Sequence, residues 1–310
     1  MEKVLLFTHG NDIDGMGSVI LSRLIYKNLD VIYSSNVLEL NNKIMDNFEL
    51  LYNYDLIYIT DLSPNKDIME KIFKDNKLNN KVKLFDHHET ALNDNLDKYD
   101  NAYIEIENDD GKMCATQIFY KYLVSSGLLE MKDSINTFVE KVRREDTWEW
   151  KKYNDQEAHD LSILFNVVGK DRFNDMFVEK LSKNNFSLSG DEKNIIIEKK
   201  KITLEIVLKY LDKMKTVIID NYKVGICYIA YEYRNEVADY LKDNNKDELD
   251  VIAMIALDNY QISLRSIKDN DSARVIAEKY NGGGHDRAAM IPLTDELSNN
   301  IINAIFKLKQ

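Results

Sequence analysis

The segment VKLFDHH, residues 82–88, is an apolar run that ends abruptly in one carboxylate and two imidazoles. Burying a charge and two ring nitrogens without partners is costly, so these side chains are a poor way to finish a core strand. At the end of a strand, however, the same side chains can be presented to a divalent metal ion. Asp86, His87 and His88 therefore mark the point from which we interpret the rest of the chain.

Similar apolar runs precede and follow this segment, and helical patterns separate them. Strands are expected at residues 3–7, 31–33, 55–60 and 81–85. This alternation predicts βαβ units and a parallel sheet. Ligands of open parallel sheets bind beyond the carboxyl ends of the strands, and polar clusters follow three of these runs. The sequence therefore predicts an α/β fold with a binding site at one edge of the sheet.

The second half of the chain predicts a helical section and then another α/β unit. Residues 157–215 have helical spacing nearly throughout. Turn signals at 220–222 and 258–259 lie between apolar runs and indicate two hairpins, and a helix is expected at 273–280. We expect a cleft between two domains, with these boundaries: a catalytic domain with a helical extension at 1–190, a connecting helix at 191–215, and a smaller α/β domain at 216–310.

The composition limits the classes of function. The chain has 310 residues, 44% of them hydrophobic, and a formal net charge of −12. It has no apolar run close to the roughly 20 residues that span a bilayer, and we expect a cytoplasmic protein that binds no membrane. The acidic balance excludes a protein that coats long nucleic acids, but it allows short single-stranded RNA or DNA, or small nucleotides, as partners. A homodimer is a guess.

Further candidate metal ligands follow other predicted elements. His9, Asp12 and Asp14 follow the first strand, Asp61 follows the strand at 55–60, and Asp146 follows a predicted helix. Each of them alone also fits a helix cap, a turn or a surface carboxylate. Together with the Asp-His-His triplet they supply about the donor set that two divalent cations need for activating water against a phosphoester. Carboxylates and imidazoles without thiolate suit manganese, and they allow magnesium, cobalt or iron.

The two adjacent histidines are expected to differ in role. Successive side chains of a strand point to opposite faces of the sheet. If extended geometry continued past Asp86, His87 and His88 could not both face the same metal ion. One would then bind metal and the other would be free to meet substrate.

A glycine-rich segment near the end of the sequence is a second candidate binding element. Residues 282–287 read GGGHDR. Three glycines before a predicted helix would let backbone N–H groups approach an anion, and the helix N-terminus would add positive potential. His285 and the nearby Arg265 could bind phosphate or stack on a base. A tight turn with exposed polar residues explains the same pattern without a ligand.

In order and spacing, these motifs resemble the DHH phosphoesterase family over most of the chain. Residues 9–15, Asp61, residues 86–88 and Asp146 are similar to its four successive motifs. Residues 263–266 and 282–289 resemble the DHH-associated C-terminal domain. The chain departs from the family at Met290, where the family's Ala-Ala-Gly ends in glycine, and in a His9–Asp12 spacing that differs by one residue from some subgroups.

The resemblance implies a dinuclear manganese site in the N-terminal domain, with Asp61 bridging the two ions. The implied metal ligands are His9, Asp12, Asp14, Asp61, His87 and Asp146. The implied catalytic pair is His88, which would contact the scissile phosphate, and Asp86, which would support the site from behind. The implied substrate-binding residues of the C-terminal domain are Arg265, Ser266, Gly283, Gly284 and His285.

The layout is similar to that of the small bacterial oligoribonucleases of this family. We therefore expect a phosphodiesterase that hydrolyses short oligonucleotides, from the 3′ end, to nucleoside monophosphates. Two other enzymatic functions fit the same residues: hydrolysis of a linear or cyclic dinucleotide, and removal of the 3′-phosphate of adenosine 3′,5′-bisphosphate. A non-catalytic nucleotide sensor is the alternative from another class, and the intact ligand set argues against it.

Overall fold

The computed structural model describes residues 2–109, 111–244, 248–268 and 270–294. The chain divides into two compact units, residues 1–196 and the residues from 197 onward. Both units combine helices with a β-sheet, which confirms the predicted α/β class. Within the described ranges, no helix is both long and apolar enough to cross a bilayer.

The first unit contains a five-stranded parallel sheet, as predicted. Its strands are β1 (Val4–His9), β2 (Leu29–Ser34), β3 (Leu56–Thr60), β4 (Val82–Asp86) and β5 (Ala102–Ile104). Their order in the sheet is β2-β1-β3-β4-β5. The chain first moves outward from β1 to β2 and then continues on the other side of β1 with β3. The carboxyl ends of β1 and β3 therefore form the switch point where open sheets bind ligands.

Helices and a short hairpin complete this unit. The helices are α1 (Ile13–Ile25), α2 (Val37–Asp46), α3 (Lys66–Lys74), α4 (Glu89–Asn93), α5 (Ala115–Ser125), α6 (Asp133–Asp146), α7 (Gln156–Val168) and α8 (Lys170–Ser182). The long helix α9 (Gly190–Asp212) begins in this unit and continues into the second. The hairpin joins β6 (Glu107–Asn108) to β7 (Gly111–Lys112).

Hydrophobic side chains cover both faces of the parallel sheet. Val4 and Leu6 of β1 pack into a core with α1 and α5–α8, whereas Leu5 and Phe7 pack into a second core with α2 and α3. Alternate residues of one strand thus enter different cores. This explains why β1 is a continuous apolar run, since a strand that is buried on both faces needs no polar positions.

The second unit is built on a six-stranded, mostly antiparallel sheet. Its elements are β8 (Lys215–Ile219), β9 (Tyr222–Tyr228), α10 (Arg234–Asn244), β10 (Val251–Ala256), β11 (Gln261–Ser266), α11 (Ser272–Lys279), β12 (Gly283–His285) and β13 (Ala288–Pro292). The strand order is β12-β13-β11-β10-β9-β8, and only the β9–β10 pair is parallel. Both predicted hairpins, β8–β9 and β10–β11, are confirmed.

The prediction of a helix directly after the glycine-rich segment is wrong. The described residues there form an antiparallel hairpin of β12 and β13. A Cβ atom on Gly284, whose φ is 141°, would lie 2.6 Å from the Ala288 carbonyl oxygen and from Ala289 Cα. The glycine therefore permits two strands to approach closely, which is a use of glycine that a helix start does not require.

Candidate metal centre

The turn between β1 and α1 places the first three candidate ligands at the switch point. His9 is the last residue of β1, and Asp12 caps α1 by accepting the Gly15 N–H at 3.0 Å. His9 Nδ1 lies 2.5 Å from Asp12 Oδ2. A Cβ atom on Gly15 would lie 2.0 Å from the His9 carbonyl oxygen, so the helix can start this close to the strand only with glycine there.

Asp14 is held at the N-terminus of a second helix. Its side chain is fully buried. The two carboxylate oxygens accept the backbone N–H groups of Ala115 and Thr116, at 2.8 and 2.7 Å, in the first turn of α5. These unpaired N–H groups and the helix dipole stabilise the negative charge, and they orient the carboxylate towards the end of the sheet.

Asp61 lies between His9 and His87, the two histidines that we predicted to bind metal. It follows β3 directly, is 2% exposed and has a φ of 65°. Its Oδ2 is 3.5 Å from His9 Nδ1, and its Oδ1 is 3.5 Å from His87 Nε2. Each oxygen of the carboxylate therefore faces a different histidine, as a bridging ligand requires.

His87 brings the remaining ligands together. Its Nε2 lies 3.7 Å from Asp14 Oδ2 and 3.5 Å from Asp146 Oδ2. Asp146 is the last residue of α6, so a helix remote in sequence contributes to the site. All six predicted ligands therefore converge in two groups of three: His9, Asp12 and Asp61, and Asp14, His87 and Asp146, with the donor atoms of each group within 4.8 Å of one another. Asp61 and His87 also form such a group with His88.

The donor atoms of this cluster fit divalent cations. Asp61 Oδ2, His87 Nε2 and Asp146 Oδ2 are buried and have no hydrogen-bond partner. Leaving buried polar atoms unpaired is costly, so these three atoms, which are spread over both groups, are suited to binding cations. Carboxylate oxygens and imidazole nitrogens are suitable donors for divalent metals.

The electrostatics of the cluster lead to the same interpretation. The contact with Asp12, together with the nearby Asp61 carboxylate, raises the pKa of His9 to about 10. Burial and the nearby Asp14 charge raise the pKa of both Asp61 and Asp146 well above their usual range. Carboxylates crowded in this way retain protons unless a cation neutralises them, so cation binding and proton release are coupled.

Asp86 organises the Asp-His-His triplet. It is fully buried, and its Oδ1 accepts the backbone N–H groups of His87 and His88, at 2.8 and 3.3 Å. The same oxygen lies 2.7 Å from His88 Nδ1, and Oδ2 accepts a short hydrogen bond from the Ser63 hydroxyl. Asp86 thus bends the chain immediately after the strand.

This bend corrects our expectation about the two histidines. Their ring centroids are only 4.3 Å apart, so the rings do not point to opposite faces. The alternation of a strand ends at Asp86, because the next two N–H groups turn back to its carboxylate instead of joining the sheet. His88 differs from His87 in exposure and partner: its side chain is 48% exposed and contacts Asp86.

Comparisons with known proteins agree with this geometry. The family model for the DHH family, N-terminal domain, matches residues 3–142, which include the whole cluster except Asp146. Oligoribonuclease NrnB of Bacillus subtilis (strain 168) is 32% identical over 310 residues, which cover 98% of this chain and 76% of the relative. The chain belongs to the DHH family.

Two solved structures share the fold of this DHH protein. A pGpG-specific phosphodiesterase, PggH from Vibrio cholerae, matches with a TM-score of 0.54 and 13% identity, over 99% of this chain and 98% of that one. Exonuclease RecJ bound to manganese matches with a TM-score of 0.51 and 14% identity, over 98% and 89%. At these identities the likeness concerns the fold alone.

The predicted substrate-binding residues of the second unit differ in their exposure and in their hydrogen-bond partners. Arg265 is half-buried on β11, and its guanidinium donates to two neutral oxygens, the Leu264 carbonyl at 3.0 Å and Asn235 Oδ1 at 3.3 Å. Burial and the nearby charge of Arg234 lower its pKa. His285 and Gly284 are exposed in the β12–β13 hairpin, and Gly283 beside them is partly exposed.

Ser266 differs from these residues because its side chain is used within the fold. It is 1% exposed. Its Oγ accepts the Ala273 N–H at 3.0 Å, at the start of α11, and contacts the Ser272 hydroxyl at 3.1 Å. The Ser266 hydroxyl thus has partners within the fold, and its predicted contact with substrate stays a prediction.

The sequence interpretation missed several residues that surround the sites. Arg234, at the start of α10, lies near Arg265 on β11. No local sequence pattern shows that these two residues, 31 positions apart, come together. Lys112 and Trp148 line a pocket of about 630 Å³ together with His87 and His88. Trp148 follows Asp146 by two residues, and an exposed aromatic residue so close to a candidate ligand is a signal that could have identified it.

Proposed function

We propose that this DHH protein is a metal-dependent phosphodiesterase that hydrolyses short oligonucleotides to nucleoside monophosphates. The observation that carries the proposal is the convergence of six acidic and imidazole side chains in two groups that meet at Asp61. The 32% identity to an oligoribonuclease over nearly the whole chain supports the choice of substrate. A cytoplasmic location and a homodimer stay predictions.

We propose that the two groups hold one divalent cation each, with Asp61 shared between them. When bound, the cations would activate water and neutralise the charge that develops on the phosphoryl oxygens. Manganese is the proposed metal because the donors are carboxylates and imidazoles without thiolate. Mn²⁺ titration followed by electron paramagnetic resonance should show two bound ions whose spins couple; a single uncoupled ion would contradict the paired site.

His88 is the proposed contact to the scissile phosphate. The pKa of Asp86 is lowered because hydrogen bonds from His88 and Ser63 outweigh the opposing effect of burial, so Asp86 is ionised at neutral pH. An ionised Asp86 accepts a hydrogen bond from His88 Nδ1–H and leaves Nε2 as the nitrogen available to substrate. In the imidazolium form both ring nitrogens are donors, and Nε2–H can then donate to a phosphate oxygen. Asp86 therefore positions the ring, and His88 binds the phosphate oxygen.

The second unit is proposed to bind the remote end of the substrate. Arg265 supplies a guanidinium whose present partners are neutral, and Arg234 adds positive charge near it. His285 and the exposed backbone of Gly283 and Gly284 offer further polar contacts on β12. Few cations would contact the phosphates, which suits a short substrate and a protein of net charge −12.

Hydrolysis of a small nucleotide is the rival function, and one observation favours it. The pocket beside His88, at about 630 Å³, has the size of a site for a small ligand rather than for a long strand. The experiment is a panel of 5′-labelled RNA dimers, trimers and longer oligomers, tested with Mn²⁺ beside linear and cyclic dinucleotides and adenosine 3′,5′-bisphosphate. We expect turnover of the oligomers, with label released as the monophosphate only at the last step.

Two results of this panel would contradict the proposal. Turnover of the bisphosphate alone would show that the protein is a nucleotide phosphatase. Tight binding without hydrolysis of any compound would favour the nucleotide sensor. The same panel with Asp61→Ala should show no turnover, and it controls for a contaminating nuclease.

A further inference from the structure

Trp148 occupies an unusual position at the edge of the metal centre. It follows the end of α6 with a φ of 60°, and 51% of it is exposed. The backbone N–H of Trp148 donates to the Glu145 carbonyl at 3.1 Å, and the backbone N–H of Trp150 donates to the Arg144 carbonyl at 2.9 Å. These bonds close the last turn of the helix around a left-handed residue, a position that glycine usually occupies.

A tryptophan at this position opposes the local preferences of the backbone. The described non-glycine residues with positive φ are mostly Asn or Asp, whose short side chains tolerate this conformation: Asp61, Asn95, Asn154, Asn184, Asp220, Asn221 and Asn281, with Trp148 and Tyr260 as the other two. A bulky residue there is strained, and its exposed ring gains little from burial. A strained and exposed aromatic residue at the edge of a pocket is a candidate for a role in binding.

The ring borders the pocket in which the proposed reaction occurs. Trp148 lines the cavity of about 630 Å³ together with His87, His88, Asp146 and Lys112. The Lys151 ammonium lies 5.3 Å from the ring centroid. An exposed tryptophan therefore lines the same pocket as His88, the proposed phosphate contact.

Trp150, the other tryptophan of the chain, serves as an internal comparison. Its ring stacks on His159 with centroids 4.5 Å apart and planes 10° from parallel. His159 Nδ1 in turn contacts the Glu145 carboxylate at 3.1 Å. Trp150 is thus a packing residue of the α6–α7 connection, whereas Trp148 has no comparable aromatic partner among the described residues.

We propose that Trp148 is a stacking platform for the base of a nucleotide that adjoins the scissile phosphate. This inference rests on the proposed function, because it assumes that the phosphate is bound at His88. Stacking on an aromatic ring holds any base, which suits an enzyme that degrades short oligonucleotides irrespective of sequence. The inference assigns a substrate contact to the first unit, in addition to the anchor proposed for the second.

The first test separates binding from folding. Trp148→Gly removes the ring and relieves the backbone, so its melting temperature should be equal to or higher than that of the wild type while KM rises about 5- to 100-fold. Trp148→Phe keeps a stacking surface and should remain within about threefold of the wild type. A fall in melting temperature with unchanged KM would show a purely structural role and overturn the inference.

Tyr153→Ala is the matched control. Tyr153 is an exposed aromatic residue of the same connection, 41% exposed, and its ring contacts the Arg144 guanidinium at 4.6 Å. It does not belong to the pocket lining. KM should stay within about twofold of the wild type; an increase equal to that of Trp148→Gly would mean that any exposed ring of the connection matters, and would contradict a specific platform.

A second test identifies the base. A dinucleotide has one phosphodiester, so both of its nucleotides adjoin the scissile bond whatever the direction of cleavage. In the wild type, removing the base of the nucleotide on Trp148 should raise KM about as much as Trp148→Gly does. In Trp148→Gly, removing the same base should not raise KM further. Removing the other base should have the same effect in both proteins. Additive effects of both abasic substrates would overturn the inference.

A third test does not depend on turnover. Binding of AMP should quench the fluorescence of the wild type, and ribose 5-phosphate, which has no base, should not. The quench should disappear in Trp148→Phe, which keeps Trp150 as the remaining fluorophore. If no oligonucleotide of the panel is cleaved but AMP still gives this quench, the stacking role of Trp148 is supported and the proposed function is wrong. If the oligonucleotides are cleaved but saturating AMP gives no Trp148-dependent quench, the stacking role is wrong.

Discussion

Asp61 combines a left-handed backbone with a buried carboxylate whose two oxygens face different histidines. The side chain is surrounded by Asp12 and Asp14, and its pKa is raised well above the usual range by burial and by these charges. In the metal-free protein this carboxyl either retains a proton or, when ionised, is repelled by Asp12 and Asp14, with His9 as a nearby cation. A bound divalent cation would offset this repulsion.

Asp61→Asn should therefore lower the hydrolytic activity and raise the stability of the metal-free protein. The amide cannot ionise and so avoids the repulsion that Asp12 and Asp14 exert on an ionised Asp61, and we expect the melting temperature in EDTA to rise. It also removes the shared ligand, so bound Mn²⁺ should fall below two ions per chain. Hydrolysis should fall by at least about 100-fold, more than is typical of residues that only orient ligands. Metal analysis, thermal melts and initial rates measure these effects; full activity with two bound ions would contradict the role of Asp61.

Arg265 is the proposed substrate anchor of the second unit. Because its hydrogen-bond partners are neutral oxygens, its charge is available to a phosphate. Arg265→Ala should raise KM more than it lowers kcat, since the contact is remote from the reacting bond and acts equally before and during the reaction. Lys279→Ala is the control, because Lys279 already pairs with Asp220 at 3.0 Å. An unchanged KM for Arg265→Ala would exclude the anchor.

At the scale of elements, the β1–α1 junction determines where the first ligands lie. Thr8 Oγ1 donates to the Gly15 carbonyl at 3.2 Å and accepts a hydrogen bond from Thr60 Oγ1 at 2.8 Å. Strand β1, helix α1 and strand β3 are thus connected immediately beneath the metal centre. A displacement of the helix start would move Asp12 and Asp14 together.

Gly15→Ala tests this junction. The added Cβ would meet the His9 carbonyl oxygen, so α1 must move away from β1, at a cost of about 1–3 kcal/mol in the free energy of unfolding. Metal affinity should fall as well, because His9 and Asp12 separate. Gly190→Ala is the matched control, because a Cβ there meets nothing within 4 Å and the stability should not decrease. Urea unfolding and Mn²⁺ titration measure the two effects.

The α6–α7 connection, which carries Trp148, is held by a buried carboxylate. Asp155 accepts hydrogen bonds from Lys141 at 2.6 Å and from Arg144 at 2.7 Å. Burial alone would raise the pKa of Asp155, but these bonds outweigh it and hold the pKa below its usual range. A carboxylate with a lowered pKa stabilises the fold above its unfolded pKa, about 3.9, and this contribution is lost as the pH falls through the folded value.

Asp155→Asn should consequently be destabilising at pH 7 and less so in acid. We expect a loss of about 1–3 kcal/mol in the free energy of unfolding at pH 7, and a difference from the wild type that shrinks below about pH 4. Asp175→Asn makes the same change at an exposed pair with Arg23, and should cost less than about 1 kcal/mol. A difference for Asp155→Asn that is constant with pH in urea unfolding would contradict the electrostatic explanation.

At the scale of the whole molecule, the metal centre gathers elements from most of the first unit. Its ligands follow β1, β3 and β4 and end α6, and Asp14 is held by α5. Cations bound there would connect segments that are up to 137 residues apart, from His9 to Asp146. Binding to the folded state alone stabilises that state by mass action.

Mn²⁺ should therefore raise the melting temperature of the protein. At a free concentration of about 100 times Kd, each site should add roughly 2.7 kcal/mol to the free energy of unfolding. EDTA should reverse the increase, and Asp61→Asn should show a smaller one. Differential scanning calorimetry measures the shift, and an equal shift in Asp61→Asn would place the stabilising ions elsewhere.

Much of the architecture could be predicted because it depends on local patterns. The strands at 55–60 and 81–85 were recognised from apolar runs that end in polar residues, and the parallel sheet followed from their alternation with helices. The family was confirmed because its motifs keep order and spacing along the chain. The helices α2 and α10 were not predicted, since short amphipathic segments in a Lys- and Asn-rich background give a weak periodic signal.

The amino-acid sequence alone determined the α/β class, the parallel sheet and the residues that could bind metal, because each is a property of local pattern or side-chain chemistry. Only the tertiary structure decided that Asp61 faces both His9 and His87, that Asp86 draws two histidines to one side, and that Gly284 belongs to a hairpin. These facts depend on distances between segments far apart in the chain, which packing and hydrogen bonds establish only when the sheet has formed.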